Sequence, residues 1–186
     1  MRAFIAFEIS DAVRGEFMLI QNELRKTGAD VKWTRPENIH VTLKFLGEVS
    51  EDRIDGISKA LDSIAKEYKA FEITLFKLGA FPKLDFPRVV WIGIDENCAV
   101  VEEIQAKIEN ACYNMGFERD KRPYSSHLTI GRVRGPKNKD RLKQALTTLD
   151  VKPVMFHAKE IILFRSTLTP KGPIYTKHHA ARLSTE

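Results

Sequence analysis

"IHVTLKFL" (residues 39–46) places a histidine and a threonine two apart inside a run of valine, leucine and phenylalanine, and "HLTI" (residues 127–130) does so again. Side chains two apart on a strand share a face. His40 and Thr42 therefore share one face, as do His127 and Thr129, while Val41, Leu43, Phe45, Leu128 and Ile130 fall on the opposite one. One face packs against a core and the other lines a cleft. A lone histidine in such a strand is an ordinary hydrogen-bonded core group; a matched pair, each with threonine at the same offset, points to a site. The same alternation puts Lys44 on the His40 face.

Outward from these strands, the same order of elements occurs twice. In the first half, residues 2–9 ("RAFIAFEI") read as a strand and Ser10 caps a helix with Val13, Phe17, Ile20 and Leu24 on its apolar face, stopped by Gly28. The His40 strand follows, then a helix from Ser50 to about Tyr68 with Ile54, Ile57, Leu61 and Ile64 buried, then the strand "FEITLFKLGAF". In the second half, "RVVWIGID" is a strand, an Asn97-capped helix ends at Gly116, the His127 strand follows, residues 137–149 form a shorter helix, and "KEIILFRSTL" is a strand. A final strand, "GPIYTKHHAARL", pairs with it as a hairpin. Phe4 and His40 are 36 residues apart, as are Trp91 and His127; His40 to Glu72 is 32 and His127 to Glu160 is 33. The expected fold is α+β and bilobal: two pseudo-symmetric β-α-β-α-β halves with antiparallel-rich sheets around a central cleft. The whole of 1–186 is read as a single bilobal domain, its halves being 1–80 plus the C-terminal tail, and 88–169.

Composition narrows the function classes. The chain has 186 residues, 43% of them hydrophobic, with no apolar run near the roughly 20 residues that cross a bilayer. The N-terminal apolar stretch is interrupted by Glu8, too early for a secretory signal. A cytoplasmic protein without membrane partners is expected, and a monomer, since no long exposed heptad is present. Cys98 and Cys112 fall in one helix, roughly 21 Å apart along its axis, and cannot pair. A net charge of +5 favours polyanionic partners without a dense basic stripe.

Two imidazoles and two hydroxyls suit attack on a phosphodiester. One neutral histidine accepts a proton from water, one protonated histidine donates to the leaving oxygen, and the threonines donate to non-bridging phosphate oxygens. A metal is not expected, for neither His-Glu-x-x-His nor a cysteine cluster is present; His157, His178 and His179 read as structural or surface residues. No G-x-x-x-x-G-K-[ST] loop supports triphosphate chemistry, and "RIDG" (53–56) lacks the lysine nucleophile of an adenylating ligase.

These segments, "MRAFIAFEI", "WTRPENIHVTLKFLGEV", "RVVWIGI", "RPYSSHLTIGRV" and "GPIYTKHHAARL", resemble the two-histidine phosphoesterase superfamily, most closely its RNA 2′,3′-cyclic phosphodiesterases, also called 2′-5′ RNA ligases. The resemblance runs from Met1 to about Leu183. It implies that His40 is the proton donor and His127 the acceptor, that Thr42 and Thr129 contact phosphate, and that neither metal nor cofactor is needed. The substrate implied is RNA with a 2′,3′-cyclic phosphate end, tRNA fragments among the candidates. Arg132 matches a recurrent family position, although strand alternation does not put it on the His127 face. Tyr124 stands where phenylalanine is common, and Tyr175 is an aromatic candidate for the terminal base or ribose, with a core role equally open. The acid and base roles rest on the resemblance alone, because the half-sites are too alike to distinguish. Two other classes stay open: a phosphoesterase of 2′-5′ oligonucleotides or small cyclic nucleotides, and an RNA-binding module without hydrolysis.

Overall fold

The computed structural model describes residues 1–94 and 98–184. The N-terminal strand β1 (Arg2–Glu8) leads to α1 (Asp11–Arg25), whose N-cap Ser10 accepts a hydrogen bond from the Val13 amide at 3.4 Å. A short strand β2 (Val31–Trp33) and a 3-10 turn (Pro36–Asn38) precede β3 (His40–Glu48). Then come α2 (Glu51–Lys66), β4 (Phe71–Lys83), β5 (Phe86–Ile94) and α3 (Cys98–Asn114). The chain continues through β6 (His127–Val133), α4 (Lys139–Thr148), β7 (Val154–Ala158), β8 (Glu160–Thr169) and β9 (Gly172–Arg182). The expected Asn97 cap lies outside the described residues. Ser50 occupies the N-cap of α2 without its side chain bonding there.

The fold is α+β, with two antiparallel sheets ordered β3-β1-β8-β9 and β2-β6-β5-β4-β7. Their membership departs from the expected halves. The strand at 71–83 joins the second sheet rather than the first, and the strand at 160–169 joins the first rather than the second. Each sequence half thus lends its third strand to the other half's sheet. The physical reason is local: only Leu84 and Asp85 separate β4 from β5, and only Pro170 and Lys171 separate β8 from β9. Two-residue connections make antiparallel hairpins, so each third strand pairs with its successor. Strand β7, not foreseen, covers the first part of β4 through Phe71↔Ala158 to Leu75↔Val154.

The main core lies between the sheets' helix-facing sides and the four helices, with Phe7, Phe17, Leu43, Ile57, Ile92, Ile104, Leu128 and Leu163 all buried. In α1 the fourth buried position beside Val13, Phe17 and Leu24 is Gln21, not Ile20. A smaller apolar cluster of Phe4, Ala6, Ile162 and Phe164, with Tyr175 against it, lies apart from this core. No helix among the described residues is long and apolar enough to cross a membrane.

Candidate active site

His40 begins β3 and His127 begins β6, and both strands deliver their histidine and threonine to one cleft of about 880 Å³. The threonine hydroxyls have no protein partner among the described residues, which leaves them free to donate to a bound anion. The carbonyl two residues upstream acts on each imidazole. His127 Nδ1 donates to the Ser125 carbonyl at 2.6 Å, and the Asn38 carbonyl favours the charged form of His40. For His127 this fixes the tautomer, with Nε2 unprotonated and available as an acceptor.

Aromatic walls set the electrostatics. His40 stacks on Phe4 at 4.7 Å between ring centroids and meets the edge of Tyr175 at 5.3 Å. Burial pushes its pKa down to about 4; the Asn38 carbonyl opposes that shift and the Arg14 charge adds to it. His127 lies edge-on to Phe81 at 4.9 Å and near Trp91 at 6.5 Å. Its pKa is also lowered, first by burial, then by the charge of Arg132, against the Ser125 bond. A Cβ at Gly79 would collide with the Trp91 ring, so glycine is required where the indole lies across β4.

Both histidine strands bulge immediately after the threonine. In β3, Ala6 pairs with Thr42 and Ile5 with Lys44, leaving Leu43 as the extra residue; in β6, Trp91 pairs with Thr129 and Val90 with Gly131, leaving Ile130 extra. One inserted residue reverses the alternation beyond it. Three expectations change accordingly, for Lys44, for Arg132 and for Phe45, which alternation put on the core face. Lys44 turns away from a free role in the cleft: its side chain is buried, and its Nζ lies 2.6 Å from Glu109 Oε2 of α3 and donates to the Glu118 carbonyl at 3.2 Å. Its charge is thereby neutralised. Arg132, which simple alternation sends to the wrong face, lines the cleft near enough for its charge to add to the lowering of the His127 pKa and to oppose the rise that burial gives Tyr175. In β3 the position matching Arg132 beyond the bulge is Phe45, which also lines the cleft and is 65% exposed. Tyr175 packs its ring on Phe4 at 4.7 Å, as a core role requires, and also lines the cleft.

The second bulge is held from outside its strand. Gln21 Nε2, buried in α1, donates to the carbonyls of Ile130 and Thr34, each at 2.8 Å, and the Thr34 amide donates to the same Ile130 carbonyl at 3.0 Å. Tyr124 reaches across the cleft, its hydroxyl donating to the Thr42 carbonyl at 3.0 Å. Of the remaining histidines, His179 Nε2 meets Asp62 of α2 at 2.8 Å, and His157 is 3.9 Å from Glu72 on the adjacent strand. Among the described residues, no three His, Cys, Asp or Glu side chains come together to hold a metal. The carbonyls of Asn38 and Ser125 escaped sequence reading because a backbone acceptor carries no side-chain signature.

Comparison with known proteins shows the family. The chain matches the LigT like phosphoesterase family twice, over residues 7–91 and 92–175. It is 39% identical over 184 residues to a Methanothermobacter thermautotrophicus protein named RNA 2′,3′-cyclic phosphodiesterase, covering 98% of this chain and 99% of that one. A protein of the same name from Methanocaldococcus jannaschii is 39% identical over 176 residues, covering 94% and 96%. A solved structure from Thermus thermophilus superposes with a TM-score of 0.81 at 24% identity, covering 98% of each chain, and so shares the fold. With two family matches in tandem, and a histidine and threonine from each on one cleft, the chain belongs to the LigT-like phosphoesterases of the two-histidine phosphoesterase superfamily.

Proposed function

We propose that the protein hydrolyses 2′,3′-cyclic phosphates at RNA 3′ ends to 2′-phosphomonoesters, without metal or nucleotide cofactor. The observation that carries this reading is the pair of His-x-Thr strands lining one cleft, with the His127 ring fixed by the Ser125 carbonyl and each threonine hydroxyl without a protein partner among the described residues. The names of the archaeal relatives support the substrate. In the proposed step, the unprotonated Nε2 of His127 takes a proton from water as its oxygen attacks phosphorus. The bond from phosphorus to the ribose 3′ oxygen breaks, and His40 donates a proton to that oxygen. Thr42, Thr129 and Arg132 stabilise the charge on the non-bridging oxygens. A 5′-hydroxyl in place of water gives a 2′-5′ linkage by the same displacement.

His40 requires a proton that its burial disfavours. An anionic substrate supplies what is missing, because a phosphate beside the imidazole favours its charged form. The test is incubation of purified protein with an RNA ending in 2′,3′-cyclic phosphate in the presence of EDTA. Release of a 2′-phosphate end supports the reading, and an unchanged substrate at saturating protein refutes it. The roles separate with an activated leaving group: it should rescue a His40→Ala variant and not His127→Ala, and the opposite pattern reverses the assignment.

A further inference from the structure

The internal duplication extends upstream of the histidines, as Arg-Pro-x-x-x-His: Arg35-Pro36 leads to His40 and Arg122-Pro123 to His127. The two arginines have different fates. Arg35 donates to the Lys171 carbonyl at 2.7 Å, and Asn38 beside it donates to the Pro173 carbonyl at 3.0 Å, so the first segment is fastened to the turn between β8 and β9. Arg122 lines the cleft, exposed, with no hydrogen-bonding or ionic partner among the described residues, and Lys121 next to it is in the same condition.

The segment that carries them is nevertheless fixed. Buried Lys44 bonds Glu109 and the Glu118 carbonyl, and its Nζ lies 3.8 Å from Asp120 Oδ1. Glu109 Oε1 accepts from the Asp120 amide at 2.9 Å, and Tyr124 is tied to β3 through Thr42. Asp120, the one carboxylate among the cleft-lining residues, faces Lys44 in this network. A buried ion pair is poor stabilisation, but here it holds two free cations at the rim of an anion-binding cleft. In the same cleft, Phe45 offers an exposed ring suited to stacking a base.

We propose that Arg122, with Lys121, holds the phosphodiester on the 5′ side of the terminal nucleotide, so that the cleft takes an oligonucleotide end of at least two residues. The upstream strand then leaves the cleft over residues 120–124, whereas the corresponding segment at Arg35 is fastened to the β8–β9 turn. This rests on the reading of the cleft as an RNA-end phosphodiesterase.

The experiment compares a dinucleotide ending in 2′,3′-cyclic phosphate with a mononucleoside 2′,3′-cyclic phosphate. Arg122→Ala should lower kcat/KM on the dinucleotide about tenfold, one charge-assisted contact's worth, and on the mononucleoside by a clearly smaller factor. Arg35→Ala should show no such selectivity. The salt dependence of dinucleotide binding should flatten by about 0.7 in log–log slope in the Arg122 variant, as for one lost single-strand phosphate contact. Equal losses on both substrates, or none on either, overturn the subsite. Direct binding of a 2′-phosphorylated dinucleotide against 2′-AMP separates the two claims. Absence of turnover with an Arg122-dependent preference for the dinucleotide counts against the phosphodiesterase and for the subsite, and absence of any preference overturns the subsite whatever the turnover.

Discussion

At the residue scale, the two histidines determine how the protein should answer to pH. His40, folded, has a pKa of about 4 against about 6.5 in an unfolded chain. The unfolded state therefore binds this proton first as pH falls. Stability held above pH 6.5 is lost progressively down to about 4, by up to about 3 kcal/mol from this group. Urea midpoints measured at pH 7.5 and pH 4 should converge for His40→Gln relative to the unsubstituted protein; equal losses in both proteins would show that other groups govern the acid limb. Catalysis feels the same shifts. His127 must be unprotonated and its pKa is lowered, so activity should persist below pH 6.5. His40 must be protonated, so kcat/KM, which reports the free enzyme, should peak on the acid side of 6.5. The alkaline limb of kcat should lie higher, because bound phosphate favours the imidazolium. A kcat/KM optimum at or above pH 7.5 would contradict these assignments.

At the scale of single elements, the bulges and their supports matter most. Lys44→Met leaves the Glu109 carboxylate buried without its cation and should cost about 3 kcal/mol in urea denaturation, whereas Lys44→Met with Glu109→Leu should recover most of that loss. Gln21→Leu strips the Ile130 and Thr34 carbonyls of a shared donor, at a cost of about 1–3 kcal/mol. Because that bulge aims Arg132, the variant should also lose kcat/KM at temperatures where it is fully folded; full activity there would separate the support from the aim. The His-x-Thr faces were legible in the sequence because alternation holds from residue 40 to 42 and from 127 to 129. It fails immediately beyond. The inserted residues, Leu43 and Ile130, are ordinary strand residues, and nothing in their identity announces that Lys44 will turn inward and Arg132 into the cleft. The Asn38 and Ser125 carbonyls were invisible for a different reason, being main-chain groups selected by loop geometry.

At the scale of the molecule, element order and the duplication could be read from apolar periodicity and spacing, but partnership between strands could not. Periodicity reports which face of a strand is buried, not which neighbour buries it. The exchange of β4 and β8 follows from two-residue turns that outrank the order of elements. It also predicts that neither half is self-sufficient. Residues 1–85 contain β1 and β3 without β8, and β4 without β5. Expressed alone, 1–85 or 86–186 should show no cooperative thermal transition, while the two fragments mixed should regain one. Cooperative melting of an isolated half would mean that its own strands suffice.

The cleft lies along the seam between two copies of one unit, so every position near it is present twice, and only one member of each pair need keep a given duty. Arg35 fastens a turn while Arg122 stays free; Phe45 offers a ring where Arg132 offers a charge; Lys44 builds a hidden tether where its counterpart is the small Gly131. The histidines and threonines are a common inheritance. The division of labour between the two walls, which gives a symmetric cleft a front and a back, is written in the pairs that have drifted apart.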